Sequence, residues 1–141
     1  PLGIRILLEN LQNEITTPEH LFEILRVGHF DRVGICLDVG HAHLSAPENN
    51  KGIDEAFELL APRIAQLHLH DNKGQRDDHL WPAAGDIDWK NIAKHIATLP
   101  ANTPAILEIA HDLEETADSV TRKAQASFDT QSRFTEQLPS A

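Results

Sequence analysis

Ile64-Ala65-Gln66-Leu67-His68-Leu69-His70 alternates residue by residue, with Leu67 and Leu69 on one side and Gln66, His68 and His70 on the other. Successive side chains of a β-strand point to opposite faces, so this stretch predicts a strand with one apolar face and one face carrying two imidazoles. Three more runs of strand length, rich in Ile, Val or Leu, occur at Ile4 to Leu8, Val33 to Leu37 and Ala105 to Ile109. Each ends at or carries a carboxylate: Glu9, Asp38 and Glu108.

Helical patterns lie between these runs. Thr17-Pro18-Glu19 supplies a capping hydroxyl, a proline for the first turn and an early carboxylate, followed by Leu21, Phe22, Ile24 and Leu25 at helical spacing. A second helix is predicted from Gly52 to Ala61, ending at Pro62. A third starts at Asp88 as cap, presents Ile92, Ala93 and Ile96, packs through Trp89 and stops before Pro100. After Asp112 a weaker fourth helix is expected, and from Ser127 the chain reads as polar. The expected division is therefore four β/α units over residues 1–126 and a polar C-terminal tail over 127–141.

Strands that alternate with helices imply βαβ units and a parallel sheet, because a parallel pair needs a crossover. The fold class is α/β. Four such units fit either a small open sheet or half of an eight-stranded (β/α)8 barrel.

With 141 residues and 40% hydrophobic content, the chain is long enough to bury a core. Its formal net charge of −10 argues against nucleic acid as a partner, since phosphate binding rests on Lys and Arg. No apolar run nears the roughly 18 residues of a membrane span, and no basic-then-apolar leader opens the sequence. A cytoplasmic protein without membrane contact is expected. The single cysteine, Cys36, has no partner for an intramolecular disulfide and reads as a packing residue.

The chemistry lies at the strand ends. In parallel α/β folds the C-terminal ends of the strands form the site face, so Glu9, Asp38, His68 and His70, and Glu108 are delivered to one rim. Buried carboxylates need countercharge, and few Lys or Arg lie near them in sequence. A divalent metal answers that need. Oxygen and nitrogen donors without a thiolate cluster suit Mn, Zn, Co or Mg alike. His41 and His43 follow Asp38 in an expected loop, and Asp77-Asp78-His79 follows the third strand. His43, His70 and Asp71 are expected to be structural, orienting the ligands from behind.

Leu37-Asp38-Val39-Gly40-His41, His68-Leu69-His70-Asp71-Asn72, Asp77-Asp78-His79-Leu80, Gly85-Asp86-Ile87-Asp88-Trp89 and Leu107-Glu108 together resemble the xylose-isomerase-like TIM-barrel superfamily. That superfamily holds sugar and sugar-phosphate isomerases and epimerases and the endonuclease-IV-type AP endonucleases. The resemblance spans residues 4 to 112 and implies the C-terminal half of the barrel. By it, Glu9, Asp38, His68 and Glu108 match the four ligands of the shared metal centre, and Glu9 and Glu108 match the acid/base pair of the epimerases. His41, Asp77 and His79 match a further metal site of the endonucleases, or, for His41, a substrate contact in the epimerases.

The sequence departs from the family pattern at Trp81-Pro82-Ala83-Ala84-Gly85, where Pro-Leu-Gly-Glu-Gly is usual. The resemblance also implies that the first four strands, with two histidines of the endonuclease site, are not encoded here. The expected function is a metal-dependent sugar or sugar-phosphate isomerase or epimerase, incomplete in this chain. The alternatives are an AP-endonuclease-like phosphodiesterase and a non-catalytic half barrel. The expected partners are a small-molecule sugar and either a second copy of the chain or the missing N-terminal half.

Overall fold

A computed structural model describes residues 3–110 and 114–136. The elements are β1 (Ile6–Glu9), α1 (Pro18–Gly28), β2 (Val33–Asp38), α2 (Val39–Ser45), α3 (Lys51–Leu60), β3 (Ile64–Leu69), α4 (Trp89–Ala97), β4 (Ala105–Leu107) and α5 (Ala117–Glu136). The four strands form one sheet in the order β1-β2-β3-β4, with every neighbouring pair parallel. This is the α/β alternation expected from the sequence.

Local chemistry explains most of the boundaries. Thr17 caps α1 by accepting from the His20 amide, Pro18 takes the first turn, and the helix stops at His29, which is left-handed. Leu21 and Leu25, one turn apart, are buried from that helix. Asp88 caps α4 by accepting from the amides of Lys90 (3.0 Å) and Asn91 (3.2 Å). From α4, Trp89, Ile92 and Ala93 are buried; from α3, Ile53, Ala56, Phe57 and Leu60. These side chains meet Ile35, Leu37, Leu67 and Leu69 in one apolar core on the helix side of the sheet. By the register, the opposite face of the sheet carries Glu9, Cys36, Asp38, Gln66 and His68, and Ile106 from β4.

Three features differ from the reading of the sequence. The residues after Asp38 form helix α2 rather than a loop, because the Asp38 carboxylate accepts from the His41 amide at 2.8 Å and caps it. Seven residues with a glycine at the second position show too little periodicity to be read as a helix. The edge strands are short, with β4 ending at Leu107, so that Glu108 follows the strand. The third difference is α5, which runs to Glu136 across the boundary expected at residues 126 and 127. The segment is polar as its composition says, yet helical, and Ser127 is buried on it. Residues 137–141 of the expected tail lie outside the described residues.

Candidate functional site

Two clusters of potential ligands sit side by side at the C-terminal ends of the strands. The first is built on the register of the sheet, in which Asp38 pairs with His68 across β2 and β3, and Glu9 closes β1. Glu108 Oε2 lies 2.9 Å from His68 Nδ1, Glu9 Oε1 lies 3.1 Å away and Asp38 Oδ2 lies 4.0 Å away. All four residues expected as ligands thus come together, each offering one atom within 4.8 Å of the others.

Asp38 decides the electrostatics. Its carboxylate is wholly buried; Oδ1 is committed to the His41 amide, while Oδ2 has no hydrogen-bond partner. An unpartnered buried oxygen of a charged group costs a few kcal/mol or more. Three carboxylates around one imidazole leave a negative surplus whichever way His68 is protonated. A divalent cation fits this set by charge and by donor type. Cys36 forms a further potential ligand group with Glu9 and His68; in the metal-free chain burial, then the charge of Glu9, pushes its thiol up to about 12. The Gln66 amide lies 3.6 Å from Cys36 Sγ and 3.1 Å from His68 Nε2.

In the second cluster, His41 Nε2 and His79 Nε2 each lie 3.1 Å from Asp77 Oδ2. The loop carrying Asp77 and His79 is closed by paired hydrogen bonds between Asp71 and Leu80, both 2.8 Å. His41 Nδ1 donates to the Asn10 carbonyl (2.9 Å) and His79 Nδ1 to the Glu108 carbonyl (2.8 Å). A carbonyl oxygen only accepts, so both Nδ1 atoms carry hydrogen and both Nε2 atoms face the carboxylate. Burial alone would lower the His41 pKa, but the charge of Asp38 and the hydrogen bond and charge of Asp77 outweigh it and raise it. His79 is raised in the same way, by the Glu108 carbonyl and Asp77 against burial. For Asp77, burial is outweighed by His41 and His79, and its pKa is lowered.

His70, expected to be structural, stands between the clusters. It is fully buried and stacked on His79 with ring centroids 3.9 Å apart, and its Nε2 lies 3.0 Å from Asp38 Oδ1 and 3.8 Å from Asp77 Oδ1. The close contact to Asp38 is out of line for a hydrogen bond, so neither ring nitrogen is satisfied. His41 stands edge-on to both His70 and His79. His70 offers a ring nitrogen within 4.8 Å of ligand atoms of His41, Asp77 and His79, so it belongs to the second group of potential ligands. Gly40 makes room for this ring, since a Cβ there would lie 2.0 Å from His70 Cε1.

The supporting residues are less legible in the sequence. Asn72 accepts from His43 Nδ1 (2.8 Å) and donates to the Gly40 carbonyl (2.9 Å), which seats α2 against β3. Asp71 accepts from the Trp89 indole at 2.7 Å and from the amides of Asn72 and Ile87. His43 and Asp71 hold the surrounding loops and helices together through these bonds, which reach none of the candidate ligands directly. Asn10, which the sequence does not single out, bonds the Asp38 backbone in both directions. An asparagine after a strand-end glutamate looks like turn chemistry, and nothing local distinguishes the two.

The geometry can be set beside known proteins. An uncharacterized protein, y4fM, of Sinorhizobium fredii is 40% identical over 82 residues, which take in 58% of this chain and 25% of that protein. The crystal structure of a D-tagatose 3-epimerase-like protein superposes with a TM-score of 0.71 at 27% identity, covering 95% of this chain and 48% of that one. The TTHB071 protein of Thermus thermophilus, soaked with ZnCl2, shares the fold with a TM-score of 0.68 at 24% identity, covering 99% of this chain and 48% of that one. The chain thus spans about half the length of the solved structures it matches, and its four parallel strands are those of a partial TIM barrel. The family described as xylose isomerase-like TIM barrel matches residues 1–131, and the chain belongs to that family.

Proposed function

We propose that the chain forms the metal-binding half of a sugar or sugar-phosphate isomerase or epimerase. The observation that carries this reading is the unpartnered, buried Asp38 Oδ2 facing Glu9, His68 and Glu108. Those four residues would hold a divalent ion, whether Mn, Zn, Co or Mg, which when bound supplies Lewis-acid polarisation of a carbonyl and its adjacent hydroxyl. Glu9 at the end of β1 and Glu108 just after β4 both approach His68 Nδ1, so two carboxylates would border the ion and a substrate bound to it. One removes the proton α to the carbonyl and the other returns it. The likeness to a D-tagatose 3-epimerase-like protein supports a sugar as substrate.

The inner face of the sheet is open in this chain, and among the described residues β1 and β4 each have one unpaired edge. Closure into a barrel requires four further strands, from a second copy of the chain or from an N-terminal half. The test is proton exchange: a panel of ketoses in D2O with Mn2+ and the associated chain, followed by NMR at the carbon next to the carbonyl. Deuterium incorporation that falls at least about 100-fold in Glu9→Gln and in Glu108→Gln supports the reading. Exchange that survives both substitutions overturns it.

The His41, Asp77 and His79 cluster favours a second reading, phosphodiester cleavage at abasic DNA with a further ion held there. The net charge of −10 weighs against it. Cleavage of an abasic duplex, abolished by His79→Ala, is the outcome that would prefer it. Absence of both activities leaves a half barrel that works by binding.

A further inference from the structure

Asn10 is nearly fully buried immediately after the last residue of β1. Its Nδ2 donates to the Asp38 carbonyl at 2.9 Å and its Oδ1 accepts from the Asp38 amide at 2.8 Å. A single planar amide thus continues the pairing of β1 with β2 for one residue beyond the strand. Only a primary amide offers one donor and one acceptor side by side for this purpose, and glutamine would be a methylene too long. The backbone of Asn10 acts on the other cluster, since its carbonyl takes the His41 Nδ1 hydrogen. Glu9 precedes it directly, so the same contacts fix where β1 ends.

We propose that Asn10 is a positioning residue common to both clusters, holding Asp38 through its side chain and His41 through its carbonyl. The inference rests on the proposed ion at the Asp38 cluster and, for the contrast between clusters, on the further ion of the second reading. Asp38 has no freedom left once its backbone is held by Asn10 and its Oδ1 by the His41 amide, and Oδ2 is then aimed at His68. Removing the side chain of Asn10 releases the first of these restraints and leaves the carbonyl in place. The loss therefore falls on the ion held through Asp38, not on the one held through His41.

The fold contains its own control. Asn50 makes the same two-way clamp on the Asp88 backbone, with both contacts at 3.3 Å, at the start of α4. Asn50→Ala removes an equivalent pair of hydrogen bonds without touching either cluster.

The experiment is Co2+ titration of the full chain, read by visible d–d absorption, with thermal melts of every variant. Asp38→Ala identifies the Co2+ that depends on Asp38. In Asn10→Ala that Co2+ is expected to bind about 10- to 100-fold more weakly with a shifted band, while the remaining Co2+ is unchanged. Asn50→Ala is expected to lower the melting temperature and leave the titration as in the wild type. Asn10→Asp keeps the acceptor and the volume but turns an oxygen toward the Asp38 carbonyl, and it serves where Asn10→Ala does not fold, with the same direction expected. Wild-type affinity and band in folded Asn10→Ala or Asn10→Asp overturns the inference. So does equal weakening in Asn50→Ala. A wild-type chain that binds no Co2+ overturns instead the metal reading on which the inference stands.

Discussion

At Asp38 a structural duty and a chemical one are carried by different oxygens. Oδ1 caps α2, and that bond fixes the carboxylate plane so that Oδ2 is left for the cluster. The neighbouring histidines respond to pH in a definite direction. His41 and His79 have folded pKa values above the ordinary 6.5, so their pairing with Asp77 stabilises the metal-free chain fully below that value. The contribution is lost as pH rises through the folded values. The denaturant midpoint of metal-free protein is therefore expected to fall from about pH 6.5 upward, and less so in His79→Gln; a flat profile in the wild type contradicts this. An ion held by the same cluster, as the second reading proposes, would bind more tightly over that range, because a proton on Nε2 competes with it. Asp38, His68, Glu9 and Glu108 were legible because each ends or sits on an apolar run, a signal that needs no tertiary information. Asn10 was not, and of His70 only its place on the polar face was, since the contact each makes with Asp38 joins residues far apart in sequence.

Among the elements, the strands and the helices α1, α3 and α4 follow their sequence signals because caps and apolar spacing agree there. Helix α2 does not, being short and held by Asn72 and the Asp38 cap rather than by an amphipathic face. The loop after Asp71 shows a departure of another kind. Ala83 stands where the family pattern has glycine, and it retains a left-handed backbone with φ of 68°. A left-handed residue other than glycine costs roughly 1–2 kcal/mol, and glycine gives back roughly 0.4–1 through unfolded-state entropy. Ala83→Gly is therefore expected to stabilise the chain by about 0.5–1 kcal/mol in urea unfolding. A destabilised variant would mean that the methyl group packs usefully enough to outweigh its backbone. Gly85 is not open to the reverse change, as a Cβ there would meet the Asn72 carbonyl and Asp71 Oδ1 at 2.3 Å.

As a whole molecule, the chain has a closed helical side and an open inner side. Apolar side chains left exposed include Ile4 before β1 and Ile6 on it, Phe22 and Val27 on α1, Phe30 after it, and Ile106 on β4. Unpaired edges with apolar neighbours favour association, so sedimentation at rising concentration is expected to give a mass above that of one chain. A stable, folded monomer throughout would contradict it. No described helix is long and apolar enough to cross a membrane. Four β/α units were legible in sequence and left an open sheet or a half barrel, between which the resemblance of the motifs chose, whereas what completes the barrel depends on surfaces that no pattern within the chain specifies. The central claim, a divalent ion held at the strand ends, is tested most directly by elemental mass spectrometry of untagged protein after metal supplementation, comparing wild type with Asp38→Ala and His68→Ala. The account predicts near-stoichiometric Mn, Zn, Co or Mg in the wild type and loss of that equivalent in both variants. A metal-free wild type, or variants that keep the full complement, would contradict it.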